Sequence, residues 1–438
     1  MSRSPRVLMP RHGSVASYIA RNHSEIAEKP SSRPDIVPVI VGDGFNSYAI
    51  ARTYHETYGG QVQLVAADPI PPLTHSRFIV PHLVADLAND EVVLRALAAI
   101  AAATPGKHRI ILGAYVGFMR FLRRNRHVLE QNFDLALADD DALDKVMDKR
   151  DFSELCDDVN LPSPYMYIVE MGKEVPVKFD IPFPVVARPV RWTIEDARAM
   201  NVFQPVFVLN DSAEVSELWR KLEHIGYDND FLIRPFIPAT APDMRYLMLY
   251  VNQRGDVTLA ACLRLLYVAP GPDMASTPLC FLSETPNPSD LERATEFVKA
   301  ADYHGFVCFW LMDDTAHGMR LFVDARPCLG AFSFAMARGG VNPMTHLVAD
   351  IIDGQELPLE QTHDDELVCS LPTWYLMRVV ESMKIRHLIS RLSQRGHTFN
   401  ALSYSFDSSL VRDTLTRLYM MGMMRDIEQG KVLTPNTL

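Results

Sequence analysis

The residues whose types and spacing promise chemistry are concentrated between Gly305 and Gly330. An apolar run, Phe306–Met312, a turn with Asp313, Asp314 and Gly318, and a second run, Arg320–Ala325, predict a β-hairpin. Asp313 and Asp314 are expected to cap its turn. A second feature is Gly42-Asp43-Gly44, directly after an apolar strand, where glycines let backbone N–H groups approach an anion such as phosphate. It lacks the third spaced glycine and the later acid of a dinucleotide site, so it reads as a tight strand–helix turn. Cys156, Cys262, Cys280, Cys308, Cys328 and Cys369 are scattered without Cys-x-x-Cys pairs and read as buried thiols of a reducing cytoplasm. No Ser–His or Cys–His constellation offers a covalent nucleophile.

Around these residues the chain is long enough, at 438 residues, for roughly two to four domains. A net charge of −11 excludes general nucleic-acid binding, which needs a basic footprint. No apolar run reaches the roughly 18 residues of a membrane-spanning helix, and Val7–Met9 is too short for a signal-peptide core. Residues 1–35 read as a tail. Strands at 36–42, Val62–Ala66, near Ile79–Pro81 and at Arg109–Leu112 alternate with helices Asn46–Tyr58 and Asp90–Ala103. That alternation predicts a doubly wound parallel α/β unit over 36–137. Residues 138–240 read as a compact α+β lobe. It opens with one helix, Asp140–Cys156, and continues with strands Tyr165–Glu170, Val185–Ala187, Val206–Leu209 and Phe231–Arg234. A larger lobe over 241–360 carries antiparallel strands from Arg245 and Val257, the helix Ser289–Tyr303 and the hairpin. Residues 361–438 read as a helical extension, with eight Arg and Lys over 374–425 against Glu381, Asp407 and Asp413. Such a face suits a peripheral contact with anionic lipid, or packing against the body of the protein or a second subunit.

A series of short motifs then carries a resemblance. Pro38 to Arg52 with Tyr58-Gly59, Lys149 to Phe152, Leu161 to Pro164, Phe183 to Pro189, Phe236 to Pro238, Asp243 to Arg245, and Gly339 to Asn342 follow one another in order. In that order the chain resembles the ATP-grasp superfamily, and within it the D-aspartate ligase-like carboxylate–amine ligases of bacterial cell-wall synthesis. The resemblance implies an ATP-grasp fold with an N-terminal doubly wound pre-ATP-grasp domain. It also implies a reaction in which ATP phosphorylates a carboxylate and an amine attacks the acylphosphate. The substrates would be an amino acid and a peptide-like amine, perhaps a peptidoglycan precursor, and the cofactors ATP and magnesium.

Carried over residue by residue, Lys149 and Arg188 fall at the two phosphate-binding positions. The backbone of Pro235 and Ile237 falls at the adenine hinge, Asp324 at a metal position, and Arg245 and Arg264 where an anion or substrate carboxylate is met. The chain departs from the pattern elsewhere. Trp310 stands where the hairpin's first metal carboxylate belongs, and Arg326 where a neutral amide coordinates. Arg234 stands where an acceptor meets the adenine amino group, Thr240 and Ala241 in the region where an acid normally binds ribose, and Cys328 where the family often has an arginine near the transferred phosphate. Magnesium prefers hard oxygen ligands in near-octahedral geometry, and neither indole nor guanidinium provides one. The resemblance therefore leaves two readings open: a ligase whose arginines replace metal charge, or a non-catalytic partner of an active ligase. Phosphotransfer without ligation is a third, weaker one.

Overall fold

The computed structural model describes residues 32–113, 116–170, 181–190, 206–269 and 277–430. The N-terminal tail expected over 1–35 lies almost wholly outside the described residues. Strands β1 (Ile36–Val41), β2 (Val62–Ala66), β3 (Ile79–Leu83) and β4 (His108–Gly113) pair in parallel in the order β3-β2-β1-β4. Every residue of β1 is buried, as a strand covered on both faces requires. Ile36 and Ile40 join the core formed with helix Phe45–Tyr58, and Val37, Val39 and Val41 the core formed with helices Asp90–Ala103 and Val116–Leu129. This is the doubly wound unit read from the alternation of elements.

The small lobe is an antiparallel sheet of β5 (Tyr167–Val169), β6 (Val185–Pro189), β7 (Phe207–Leu209) and β8 (Phe231–Pro235), in the order β5-β8-β6-β7. Helix Ser212–His224 covers one face, with Val215, Trp219 and Leu222 against Val185, Ala187, Phe231 and Ile233. Asp211 starts that helix by accepting from the backbone N–H groups of Ala213 and Glu214.

The large sheet contains β9 (Met244–Val251), β10 (Val257–Ala269), β11 (Thr277–Glu284), β12 (Gly305–Asp314), β13 (Met319–Arg326), β14 (Glu360–Gln361), β15 (Leu367–Cys369) and β16 (Thr398–Asn400). Its order is β13-β12-β9-β10-β11-β15-β16, with β14 beside β10. The hairpin forms where the apolar pattern put it, with Asp314 accepting from the backbone N–H groups of Ala316 and His317 at the turn. The C-terminal part is helical over Thr373–Val379, Met383–Arg395 and Leu410–Glu428, and in addition it lends β15 and β16 to the sheet edge. It is tied to the first unit by buried charge. Arg412, 1% exposed, pairs with Asp407 at 2.8 Å, and Asp407 also accepts from the Tyr48 hydroxyl and the Arg77 backbone N–H. Arg52 donates to the carbonyls of Asn400, Ala401 and Ser403.

One expected element is corrected. The single helix over Asp140–Cys156 is two helices, Asp140–Met147 and Lys149–Asp158. Asp148 takes extended backbone angles (φ −79°, ψ 135°), and its side chain accepts from the Arg150 backbone N–H. An aspartate that caps a new helix ends the old one, because its carboxylate competes for backbone N–H groups.

Candidate functional site

The break at Asp148 makes Lys149 the first residue of its helix, where the chain delivers it to the end of β13. Lys149 is only 8% exposed, and Phe152, one turn on, anchors the helix in the core against Phe297. Its Nζ donates to Oδ1 of Asp324, which is 3% exposed. Asp324 stands directly opposite Trp310 in the β12–β13 register, so the two share a face of the sheet. Arg326, two residues on, places Nε 3.3 Å from the other carboxylate oxygen of Asp324 and its guanidinium 5.8 Å from the Trp310 ring centre. Trp310 lies beside Tyr246 of β9 on the same face, and its indole N–H is buried with no hydrogen-bond partner.

The small lobe supplies two more cations. Val186 stands opposite Arg234 and Leu232 opposite Arg188 in the β6–β8 register. Because strand side chains alternate, Arg188 and Arg234 share the face turned away from the lobe's own core of Val185, Ala187, Phe231 and Ile233. Both guanidinium groups are close enough to Asp324 for its charge to act on them, and Arg188 also feels Arg326. Lys149 and Arg326 thus contact Asp324, and Arg188 and Arg234 add their charge from the small lobe.

The electrostatics follow from that imbalance. Burial lowers the Lys149 ammonium, against the pull of Asp324, and Arg188 lowers it further. Burial likewise lowers Arg188. Arg234 is pushed down to about 10 by burial and by Arg188 beside it, which still leaves it charged at neutral pH. Burial by itself raises the Asp324 carboxyl, but Lys149, Arg326 and Arg188 outweigh it and hold it well below the usual carboxylate range. Cys328, two residues beyond Arg326, is pushed up to about 11 by burial and is a neutral thiol at pH 7.

Beside the cations lies an apolar floor of Ile237, Met312, Leu321 and Val323, with Met244, Ala239 and Trp310 packed against it. Ile237, from the segment after β8, therefore lies next to the hairpin. The Pro235 carbonyl accepts from Arg234 at 3.4 Å. Asp243 is held in a local cap, accepting from the backbone N–H and the hydroxyl of Thr240 at 2.8 and 2.6 Å.

Arg245 and Arg264 lie elsewhere. They stand opposite each other on β9 and β10, and Arg245, next to Tyr246 in the strand, points to the other face of the sheet. There Arg245 pairs with Glu284 at 2.8 Å and with Asp313, while Arg264 donates to Glu284 at 3.5 Å and to the Pro242 carbonyl at 2.7 Å. Arg320 continues the chain of charges to Asp313 and Asp290, each at 2.6 Å. Of the residues proposed from sequence, Lys149, Arg188, Asp324 and Ile237 fall on one side of the large sheet, and Arg245 and Arg264 form a separate network behind them. Sequence reasoning saw Arg234 only as a lost acceptor. Only the β6–β8 register puts it on the face it shares with Arg188.

The residues do not fit a divalent cation. Trp310 offers a donor only, Arg326 is itself a cation, and Asp324, the one carboxylate placed here among the described residues, is engaged by Lys149 and Arg326. Among the described residues no group of three or more His, Cys, Asp or Glu side chains is arranged to hold a metal.

A three-sheet body of this topology, with a cation-lined face between the small lobe and the hairpin, defines the ATP-grasp fold, and the chain has it. It superposes on the biotin carboxylase–β,γ-ATP complex from Campylobacter jejuni with a TM-score of 0.56 at 14% identity, covering 75% of this chain and 74% of that one. Against N5-carboxyaminoimidazole synthetase from Staphylococcus aureus complexed with ADP the TM-score is 0.55 at 8% identity, covering 80% and 86%. Within that class the chain is similar in sequence to a D-aspartate ligase from Enterococcus faecium, 22% identical over 315 residues, which span 70% of this chain and 75% of the relative. No family model matches the chain.

Proposed function

We propose that the chain is an ATP-dependent carboxylate–amine ligase of the ATP-grasp type. It would join an amino acid to a peptide-like amine, with a peptidoglycan precursor as acceptor, in the cytoplasm where ATP is available. The observation that carries this reading is the convergence of Lys149, Arg188, Arg234 and Arg326 on one carboxylate, next to the apolar floor at Ile237. A site with a flat apolar half and a cationic half suits a purine joined to a polyphosphate. ATP would supply the leaving phosphate that activates the carboxylate as an acylphosphate. The chain's own residues would bind and orient: Lys149 and Arg188 on the phosphates, the backbone at Pro235 and Ile237 along the adenine edge, and the lobe of β5–β8 as a cover that keeps water off. Sequence similarity to a D-aspartate ligase supports an amino acid as the activated substrate.

A second reading is favoured by one specific observation, the engagement of Asp324 by Lys149 and Arg326 where a metal would be needed. In it the chain binds nucleotide without turnover and acts as a protein partner of an active ligase. Calorimetry with ATP, followed by ADP release with a panel of amino acids and amines, separates the two. Amino-acid-dependent ADP release supports the ligase. Binding with no ADP release across the panel supports the partner, and no binding at millimolar ATP rejects both.

A further inference from the structure

We infer that this site takes the polyphosphate of its nucleotide without a divalent cation, the charge being supplied by Lys149, Arg188, Arg234 and Arg326. The inference rests on the nucleotide-binding reading above and concerns how that binding is achieved. Its first support is the charge balance. Among the described residues, four cations, Lys149 and Arg326 in contact and Arg188 and Arg234 within electrostatic reach, face the single carboxylate of Asp324, so the described cluster keeps a positive excess that an anion would neutralise. A metal-free triphosphate is the more anionic form of ATP, and a bound divalent ion would remove part of the charge that the cluster is built to meet.

The second support is geometric. Arg326 extends from β13 across the face shared by Trp310 and Asp324, so the hairpin presents a guanidinium where a bridging ion would need oxygen donors. A metal ion there would be repelled by Arg326 and would have to compete with Lys149 for its only carboxylate ligand. Guanidinium groups, in contrast, offer planar pairs of donors that match two oxygens of one phosphate. Arginine is an established means of stabilising phosphoryl charge.

The third support is the state of the cluster in the absence of an anion. Burial lowers both Lys149 and Arg188, Asp324 pulls both back up, and the two cations act against each other at Lys149. Asp324 compensates only part of them. An incoming phosphate would take over from Asp324 and relieve the repulsion between the two lobes' cations.

The test is isothermal calorimetry of the full chain with ATP, once with excess EDTA and once with excess magnesium. The expected result is binding in EDTA at least as tight as in magnesium, a steep loss of affinity with rising salt, and competition by inorganic tripolyphosphate in EDTA. Arg326→Gln, at a residue whose side chain is 45% exposed and which is therefore safe for folding, is expected to weaken binding in EDTA at least tenfold. The double variant Trp310→Asp with Arg326→Asn is expected to gain magnesium dependence. Binding at least tenfold tighter in magnesium than in EDTA by the unaltered chain would overturn the inference and leave the nucleotide-binding reading standing. Absence of binding in both buffers would overturn that reading, and the inference with it.

Discussion

Replacing Asp324 with asparagine removes the only carboxylate that the described residues place in a cluster of four cations, while keeping the side chain's size. The side chains of Lys149 and Asp324 are 9% and 4% exposed, so water cannot take over the lost partner. Removing one member of a buried pair costs about 3–5 kcal/mol, because the surviving charge stays desolvated. Arg326 is 45% exposed and can turn to solvent, so the loss falls chiefly on Lys149 and Arg188 and should sit near the lower end, about 3 kcal/mol. Urea denaturation followed by tryptophan fluorescence would read this directly. The variant should also respond more strongly to polyphosphate than the unaltered chain, since the anion replaces what was deleted. A ligand at about a hundredfold its dissociation constant stabilises by about 2.7 kcal/mol, enough to restore most of the deficit. The acid limb of the stability profile carries the same information. The Asp324 carboxyl is depressed in the folded state, so its contribution is present above the unfolded carboxylate value of about 4 and is lost as pH falls through the folded value. Asp324→Asn should flatten that limb. A variant within about 1 kcal/mol of the unaltered chain, with an unchanged acid limb and no extra response to polyphosphate, would refute a buried, under-compensated cluster.

Arg245→Ala should lower stability by disconnecting Glu284 and Asp313, yet leave ATP affinity within about threefold, because Arg245 lies behind the sheet; a large loss of affinity at unchanged stability would put it in the site. Arg412→Met should cost about 3–5 kcal/mol and make residues 400–430 susceptible to limited proteolysis, since it strands Asp407 between Tyr48 and the Arg77 backbone. For the basic helical extension, Arg391→Glu with Arg395→Glu should leave sedimentation with anionic vesicles unchanged, as expected of a tail packed on the body; a clear drop would establish lipid contact.

The hairpin and the doubly wound unit were legible because their patterns are local: an apolar run, a turn, another run, and strands alternating with helices. What escaped depends on pairing between distant segments. β15 and β16 are three residues each, too short for any pattern, and exist because β11 offers an edge to Leu367–Cys369. The side of the sheet on which Arg245 falls is fixed by the register of β9 against β10 and β12, which no single segment encodes. At Asp148 the local signals themselves misled. Asp139 to Asp141 give a strong helix start, and nothing in the spacing between Asp140 and Cys156 distinguishes a second cap from a polar residue on an exposed face. Only the folded backbone shows the aspartate accepting from the Arg150 N–H, and that cap is what sets Lys149 at the head of a helix, beside Asp324.

The departures from the ATP-grasp pattern on the strands of the small lobe and the hairpin gain meaning from their common direction. A site losing function by drift would exchange charges without bias, deleting cations as readily as carboxylates. By the resemblance, a carboxylate gives way to Trp310, a neutral amide to Arg326 and an acceptor to Arg234, while the phosphate-side cation at 188 is kept as arginine. Each of these changes on β6, β8, β12 and β13 makes the site more positive or leaves its charge alone, whereas Cys328, just beyond β13, stands where the resemblance implies an arginine. The folded chain then brings these positions, distant in sequence, around one buried carboxylate and beside an apolar floor. Four mutually repelling cations are a standing cost to stability, and drift has no reason to assemble them. A polyanion that must be held without metal would give selection that reason.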